Sequence, residues 1–428
     1  MKRFLGGLPA PAFALFAAFA AFSCYFAMYA FRKPFTAAAF DGMSFAGSDL
    51  TLKTAFVLSQ IIGYTLSKYI GVKVCSESTR ETRAGMLIKL VLASLAALVL
   101  FAVLPGSWKV VAMFLNGLPL GMVWGLVVAY LEGRRCSDFV MAALCGSFIV
   151  ASAAVKDVGR WLMSGWQISE NWMPAATGTL FLPVFLLAVY LLSSLPEPDE
   201  ADKAARAPRA AMDKTARHAF LRRYAMGMVL LLVFYFFLTA YRDFRDNYGV
   251  EIFRSLGYGA DQTGLFTRSE IPVAVASLAA LALLNGTRNN RLALMLTYGF
   301  MMLGMGVLVA ATLAMTQGRI EGLTWMICTG LGAYLAYVPI NAVLFERLMA
   351  ATGSAGTAVF GIQLADSIGY TGSALIQLFK DLGNPSGTHL AYFSSFSLAL
   401  GIGGFLLSAG GALYFYRRTM VLVLEKRQ

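Results

Sequence analysis

Two arginines occur at the ends of long apolar segments, where burying an ionised side chain is costly. Arg32 follows the aromatic-rich stretch 25–31, and Arg242 follows the similar stretch 235–241. Tyr, Phe, Ala and an aromatic residue precede both arginines at the same offset of 210 positions (242 − 32). An arginine inside a membrane marks a functional site by default, and its planar guanidinium matches the oxygens of phosphate and carboxylate groups. The pair therefore predicts a binding site for a small anion.

The surroundings of each arginine leave two interpretations open. The apolar run after Arg32 resumes through Phe40, so a helix continuing that far would be about 45 Å long and would bury the arginine. Alternatively, the helix ends near residue 31, and the side chains of residues 32 and 33 reach lipid headgroups. At the second arginine, three acidic residues are near enough in sequence to neutralise it: Asp243, Asp246 and Glu270.

Other polar residues in apolar segments complete the candidate site. Lys68 lies in the second segment, near whose inner end its side chain can extend to the membrane surface. Asp366, in the middle of the eleventh segment, is a candidate proton site or arginine partner, as are Glu270 and Asp246. Aromatic and amide side chains near these charges are candidate ligand contacts: Tyr29, Tyr241, Tyr337 and Asn341.

The composition indicates lipid rather than water around most of the chain. Of 428 residues, 58% are hydrophobic and 14% are charged, with a mean hydropathy of +0.66, whereas soluble domains carry about 25% charged residues. About twenty apolar residues span a bilayer as a helix. Such segments lie near residues 9–31, 52–71, 86–104, 108–131, 139–161, 173–195, 223–241, 262–284, 292–315, 322–345, 357–379 and 390–416. We therefore predict an all-α integral membrane protein with twelve transmembrane helices, the first of them retained rather than cleaved as a signal peptide.

Basic residues set the expected orientation, because cytoplasmic loops carry an excess of Lys and Arg. With the N-terminus in the cytoplasm, most of the 35 lysines and arginines fall in inner loops and at the two termini. We therefore expect a multi-pass protein of the inner membrane with both termini in the cytoplasm. This bias accounts for the net charge of +12, so we expect no nucleic-acid partner.

A charged, Pro- and Ala-containing stretch separates the first six segments from the last six. We expect an N-terminal six-helix half at 1–195, a cytoplasmic linker at 196–223, and a C-terminal six-helix half at 224–428. A second match at an offset of 213 (337 − 124) supports a repeat of the halves: Trp124, Ala129, Leu131 and Arg134 align with Tyr337, Ala342, Leu344 and Arg347. Two parallel six-helix halves with internal inverted repeats describe the major facilitator fold, which binds substrate near the midplane. The two arginines are then expected to face one central cavity.

Short motifs along the chain resemble those of the organophosphate:phosphate antiporters, a branch of the major facilitator superfamily. The motifs are residues 29–37 (Tyr-Ala-Phe-Arg-Lys-Pro-Phe-Thr-Ala), Leu58-Ser59 with Tyr64 and residues 67–71, Asn116-Gly117, residues 172–175, Tyr241-Arg242 with Asp246, and Ile271-Pro272. The resemblance implies that Arg32 and Arg242 bind phosphate and that Lys68 faces the same cavity. The substrate-contacting histidine of the antiporters' fifth helix has no counterpart here, because the histidines are His218 and His389.

Several classes of function leave no trace in the sequence. There is no GxxxxGK[ST] loop for ATP, no HExxH motif, and no cysteine or histidine spacing typical of a metal site. We therefore expect a transporter, not an enzyme, with no cofactor or metal; its partners would be a small anionic substrate and the bilayer, and its state a monomer. The alternatives are a non-transporting membrane sensor or assembly protein with a transporter fold, and a carrier for lipids or drugs.

Overall fold

Long helices account for most of the residues that the computed structural model describes, which are 2–48, 50–131, 136–197, 214–259, 264–287, 289–352, 358–383 and 388–425. We number the long helices in chain order: α1 (Ala10–Tyr29), α2 (Leu52–Glu77), α3 (Arg80–Val103), α4 (Gly106–Leu131), α5 (Ser137–Trp166), α6 (Met173–Ser193), α7 (Ala225–Asn247), α8 (Leu265–Gly286), α9 (Asn290–Thr316), α10 (Gly322–Thr352), α11 (Ala358–Gly383) and α12 (His389–Glu425). Shorter helical pieces are Lys2–Gly6, Pro34–Ala37, Lys214–Arg223 and Gly249–Ser255.

The number of long helices agrees with the sequence. Within the described residues, ten helices are long and apolar enough to cross a membrane. The other two, α2 and α11, have 26 residues each, which is also enough length to span a bilayer. The prediction of an all-α protein with twelve transmembrane helices (10 + 2) is confirmed.

The chain folds into two compact units, each assembled from more than one stretch of sequence. The first comprises residues 1–206, 246–271 and 377–387, and the second comprises residues 207–245, 272–376 and 388–428. The division into halves at 1–195 and 224–428 stays a prediction. Of the predicted linker, residues 198–213 lie outside the described residues, and Lys214–Arg223 is a helix.

In the first unit, α1 packs against α5 and α6, while α3 packs against α4 and α6. The contact between α2 and α4 is close because glycines line it, as in many membrane helix pairs. A Cβ on Gly117 would collide with the carbonyl oxygen of Gln60, and one on Gly121 would lie 2.5 Å from that of Tyr64. This approach sets Gln60 and Tyr64 directly beside α4.

Helix α1 ends at Tyr29, close to the end near residue 31 in the second interpretation, and does not continue to Phe40 as in the first. The amides of Arg32 and Lys33 both donate to the carbonyl oxygen of Tyr29, at 3.0 and 2.9 Å, and close a last turn. Pro34 then begins a 3₁₀ turn, because it lacks an N–H and disfavours helix at the residue before it. The alternative that residues 32 and 33 extend to headgroups is also wrong, since they are only 6% and 5% exposed.

In the second unit, α9 packs against α10 and α12. Glycines again line the closest contact: a Cβ on Gly332 of α10 would lie 2.6 Å from the carbonyl oxygen of Gly304 of α9. Helix α10 changes form after Pro339, where residues Ile340–Leu344 adopt a π-helix before the α-helix resumes. Single π turns inside α-helices are frequent at functional sites, and this one contains Asn341.

Candidate functional site

The end of α1 is held by amide side chains from two neighbouring helices. Asn116 of α4 donates from Nδ2 to the carbonyl oxygen of Phe31 at 2.9 Å and to Ser94 Oγ at 2.7 Å. Gln60 of α2 donates from Nε2 to the carbonyl oxygen of Arg32 at 2.9 Å and to Asn116 Oδ1 at 2.7 Å. Buried carbonyl groups beyond a helix end need such donors. The network therefore fixes the backbone that carries Arg32.

The Arg32 side chain lies on the face of a tyrosine. Its Cζ is 3.9 Å from the ring centroid of Tyr64 and 5.9 Å from that of Tyr29. The Nζ of Lys68, one turn further along α2, is 5.5 Å from the same Tyr64 centroid. The structure thus brings together three of the residues that the sequence singled out, around a tyrosine that holds both cations by cation–π contact.

The residue after Arg32 belongs to a buried ion-pair cluster in the first unit. Asp246 bonds through Oδ2 to Lys33 Nζ at 2.5 Å and through Oδ1 to Lys156 Nζ at 2.6 Å. Ser152 Oγ also donates to Asp246 Oδ1 at 2.5 Å, and Lys33 donates to Asn247 Oδ1 at 2.9 Å. The partners that the structure gives to Asp246 are therefore lysines, where the sequence suggested an arginine.

In the second unit, Arg242 of α7 also lies against a tyrosine ring. Its Cζ lies 4.0 Å from the ring centroid of Tyr337 of α10. Its Nη2 donates to Oδ1 of the neighbouring Asp243 at 2.6 Å, and the other oxygen of that carboxylate accepts from Ser373 Oγ of α11 at 2.8 Å. Of the three acidic residues considered for this arginine, Asp243 is the one that the structure pairs with it.

A second polar group surrounds Tyr235, one face of whose ring stacks on Tyr337 with centroids 5.5 Å apart. The Tyr235 hydroxyl donates to Asp366 Oδ1 at 2.9 Å and accepts from Asn341 Nδ2, also at 2.9 Å. Asn341 is placed by the π-helix and donates as well to the carbonyl oxygen of Tyr337 at 2.9 Å. The stack joins Asp366 and Asn341 to the ring that carries Arg242, so four predicted residues form one cluster.

Two other predicted residues lie elsewhere. Tyr241 is fully buried in the second unit, where its ring stacks on Phe393 with centroids 4.8 Å apart and its hydroxyl is 2.7 Å from Ser397 Oγ. This placement favours a packing role over ligand contact. Glu270 is buried in α8 and belongs to the first unit, whereas Arg242 belongs to the second.

The sequence reasoning missed Gln60 and Tyr235, and it used Tyr64 and Asn116 only as parts of motifs. Gln60 and Asn116 are amides within otherwise apolar helices, and such residues usually have a buried partner to satisfy. The sequence therefore indicates that these amides have buried partners, but it does not show which ones. The carbonyl groups of residues 31 and 32 need donors only if α1 ends before them, and the apolar pattern does not reveal that end. Tyr235 begins the repeated stretch before Arg242, and its aromatic character alone did not predict a role in the candidate site.

Each unit therefore contains an arginine whose guanidinium carbon lies over a tyrosine ring, with further polar groups beside it; Arg32 is buried, and the side chain of Arg242 is 11% exposed. A guanidinium carries five N–H donors in its plane, and a ring against its face holds that plane in a fixed orientation. Such an arrangement suits the bidentate, charge-assisted recognition of phosphate or carboxylate oxygens.

Comparisons with solved structures identify the fold. The chain resembles the crystal structure of a D-xylose-proton symporter with a TM-score of 0.59 and 15% sequence identity, covering 94% of this chain and 96% of the other. It resembles the nucleoside transporter NupG with a TM-score of 0.61 and 12% identity, covering 94% and 98%. At such identities the likeness concerns the fold, and it confirms the predicted twelve-helix major facilitator architecture.

Comparison with curated protein sequences gives no significant match. A family profile described as a family of unknown function, DUF5690, matches residues 34–418, which is most of the chain. The match begins within the segment after α1 and ends within α12, so it includes Arg242 and the two tyrosines that contact the arginines, Tyr64 and Tyr337. The chain belongs to the DUF5690 family.

Proposed function

We propose that this protein is a secondary active transporter that moves a small organic anion by alternating access, with Arg32 and Arg242 binding the anion. The observation that carries the proposal is the pair of arginines, one in each unit, each lying over a tyrosine ring; Arg32 is buried, and the side chain of Arg242 is only 11% exposed. Removing a charged guanidinium from water costs free energy, so we expect an arginine in such a place to have a function that offsets this cost. Binding an anion supplies that role.

The class of anion follows from the chemistry of the site. Arginine recognises planar or tetrahedral oxyanions through paired N–H groups, so phosphate esters, phosphate and carboxylates are the expected substrates. Lys68 adds a third cation beside Arg32, which favours a ligand with more than one negative charge. The helix-one motif around Arg32 supports the organophosphate:phosphate branch within this class. Neutralisation of the two arginines by a bound anion favours anion exchange or proton symport as the mode of transport.

Transport itself is supported by the fold, which the chain shares with a proton-coupled sugar symporter and a nucleoside transporter. In such folds the two halves rock around a fixed site near the midplane. We place the protein in the inner membrane with both termini in the cytoplasm, as the distribution of basic residues indicates.

Flux measurements in proteoliposomes test the proposal. We expect vesicles preloaded with phosphate, a hexose phosphate or a hexuronate to take up at least one of the labelled anions. Arg32→Ala and Arg242→Ala should each reduce the initial rate by about 30-fold or more, since truncating a charged hydrogen-bonding partner with little solvent exposure costs about 2–5 kcal/mol. Arg319→Gln is the matched control, because Arg319 is exposed in the loop after α9.

The outcomes separate the proposal from its rivals. Absence of flux for every anion, together with anion binding that needs the arginines, would indicate a sensor with a transporter fold. Flux of uncharged lipids or drugs that is indifferent to both arginine variants would contradict the anion site.

A further inference from the structure

We propose that Asp243 is the residue that couples anion binding to a proton: it neutralises Arg242 while the site is empty, and it takes up a proton when an anion binds to that arginine. The inference rests on the proposed function, in which Arg242 binds the anion. It concerns a carboxylate that sequence reasoning considered only as a neutralising partner.

The starting observation is that Arg242 already has an anion. Its Nη2 lies 2.6 Å from Asp243 Oδ1, and the two side chains are only 11% and 7% exposed. The second oxygen, Oδ2, accepts from Ser373 Oγ at 2.8 Å, and that serine is fully buried. Both oxygens of the carboxylate are therefore engaged, as expected for its ionised form.

An incoming anion must share Arg242 with this carboxylate or replace it. Either event places two negative groups against one guanidinium in a poorly hydrated place, where like charges repel strongly. Burial penalises the charged form of a carboxyl group that has lost its cation. Protonation of Asp243 removes the conflict: one proton from water bonds to a carboxylate oxygen, the Arg242–Asp243 ion pair breaks, and the anion takes the guanidinium.

This exchange conserves charge. Before binding, one positive guanidinium and one negative carboxylate sum to zero; afterwards one negative charge of the anion balances the guanidinium, and the carboxyl group is neutral. On release the steps reverse, so the proton leaves with the anion. The site thus carries one proton with each anion in the same direction, which is symport.

Ser373 is suited to both states of the carboxyl group. A serine hydroxyl is one donor with two acceptor lone pairs and can rotate. It donates to Asp243 Oδ2 in the present structure, and after protonation it can accept from the new O–H. The protonated carboxyl therefore keeps a buried partner without any movement of the helices.

Several charged and titratable side chains surround the pair on three helices. They are Tyr235, Arg242 and Arg245 on α7, Tyr334 and Tyr337 on α10, and Asp366 and Tyr370 on α11. Arg245 donates to the carbonyl oxygen of Met326 at 2.7 Å. Tyrosine and arginine side chains do not ordinarily titrate near neutral pH. The carboxyl groups of Asp243 and Asp366 are thus the two candidates in this set for carrying the proton.

Calorimetry on the purified full-length protein distinguishes the two. Titrations with inorganic phosphate, a hexose phosphate or a hexuronate in two buffers of different ionisation enthalpy give the number of protons taken up per anion. We expect about one for the wild type, beyond the protonation change of the probe itself. Anion affinity should then fall up to tenfold for each unit of rising pH, because binding consumes a proton.

Asp243→Asn should bind the same probe at least as tightly, take up about one proton fewer, and lose that pH dependence. Asp366→Asn and the exposed control Glu346→Gln should keep the proton. Equal proton counts in the wild type and Asp243→Asn, or loss of the proton only in Asp366→Asn, would overturn the inference and leave the proposed function standing. A wild type that binds anions without any proton uptake overturns it even if the variant does not fold. No anion binding at all would instead refute the proposed function.

Discussion

A guanidinium on an aromatic face is held by the ring and yet keeps its in-plane donors for other groups. Arg32 lies on Tyr64 at 3.9 Å and Arg242 on Tyr337 at 4.0 Å, so both arginines are held in the same way. The two tyrosines come from different positions in their units, α2 and α10. At the residue scale, the ring is thus as much a part of the candidate site as the charge.

Replacing the ring tests this. Tyr64→Leu should weaken anion binding by about 2- to 30-fold, the equivalent of the ~0.5–2 kcal/mol that a cation–π contact contributes. Tyr64→Phe keeps the aromatic face and should bind nearly as well as the wild type. Calorimetric or thermal-shift titration with the probe anions measures both. Equal losses in the two variants would assign the effect to the hydroxyl group and contradict a role for the ring.

The arginines were predictable from sequence, whereas their partners were not. Charge in an apolar segment and the repeated stretch before it identify positions 32 and 242 without a structure. Which carboxylate neutralises Arg242 depends on side-chain geometry. Asp243 and Asp246 are three positions apart on one helix, yet Asp243 pairs with Arg242 and Asp246 pairs with two lysines.

At the scale of elements, the helices follow from hydrophobic patterning, and the described helices begin and end within several residues of the predicted segments. The end of α1 does not follow from it, because the apolar run continues past the arginine. Pro34 is the local signal for that end, and the amides of Gln60 and Asn116 hold it from other helices. Long-range hydrogen bonds of this kind cannot be read from a single segment.

The glycine contact between α2 and α4 offers a test at this scale. Gly117→Ala should lower the free energy of unfolding by about 1–3 kcal/mol, because the new methyl group meets the backbone of Gln60 and overpacks the contact. Gly306→Ala on α9 is the matched control: nothing lies within 4 Å of its Cβ position, and alanine favours the helix by up to about 1 kcal/mol.

Thermal unfolding in detergent measures both variants. We expect a lower Tm for Gly117→Ala and an unchanged or slightly higher Tm for Gly306→Ala. Because Gln60 and Tyr64 lie along this contact, Gly117→Ala should also weaken anion binding. A Tm for Gly117→Ala equal to that of the wild type would contradict the close packing of α2 on α4.

For the whole molecule, the fold was predictable and the substrate was not. Twelve apolar segments and an internal repeat suffice to indicate the major facilitator architecture, and the structural likeness confirms it. The same fold serves a xylose symporter and a nucleoside transporter, so substrate choice depends on a few side chains. The proposed function nevertheless makes a prediction for the whole chain: binding of a single anion should depend on both Arg32 and Arg242.

Binding stoichiometry tests that claim most directly. Calorimetric titration of the purified protein with the tightest-binding probe anion should show one anion per chain. Arg32→Ala and Arg242→Ala should each weaken that binding by about 30-fold or more, and the double variant should lose much less than the product of the two. Two anions per chain, each dependent on a different arginine and each unaffected by loss of the other, would contradict the account.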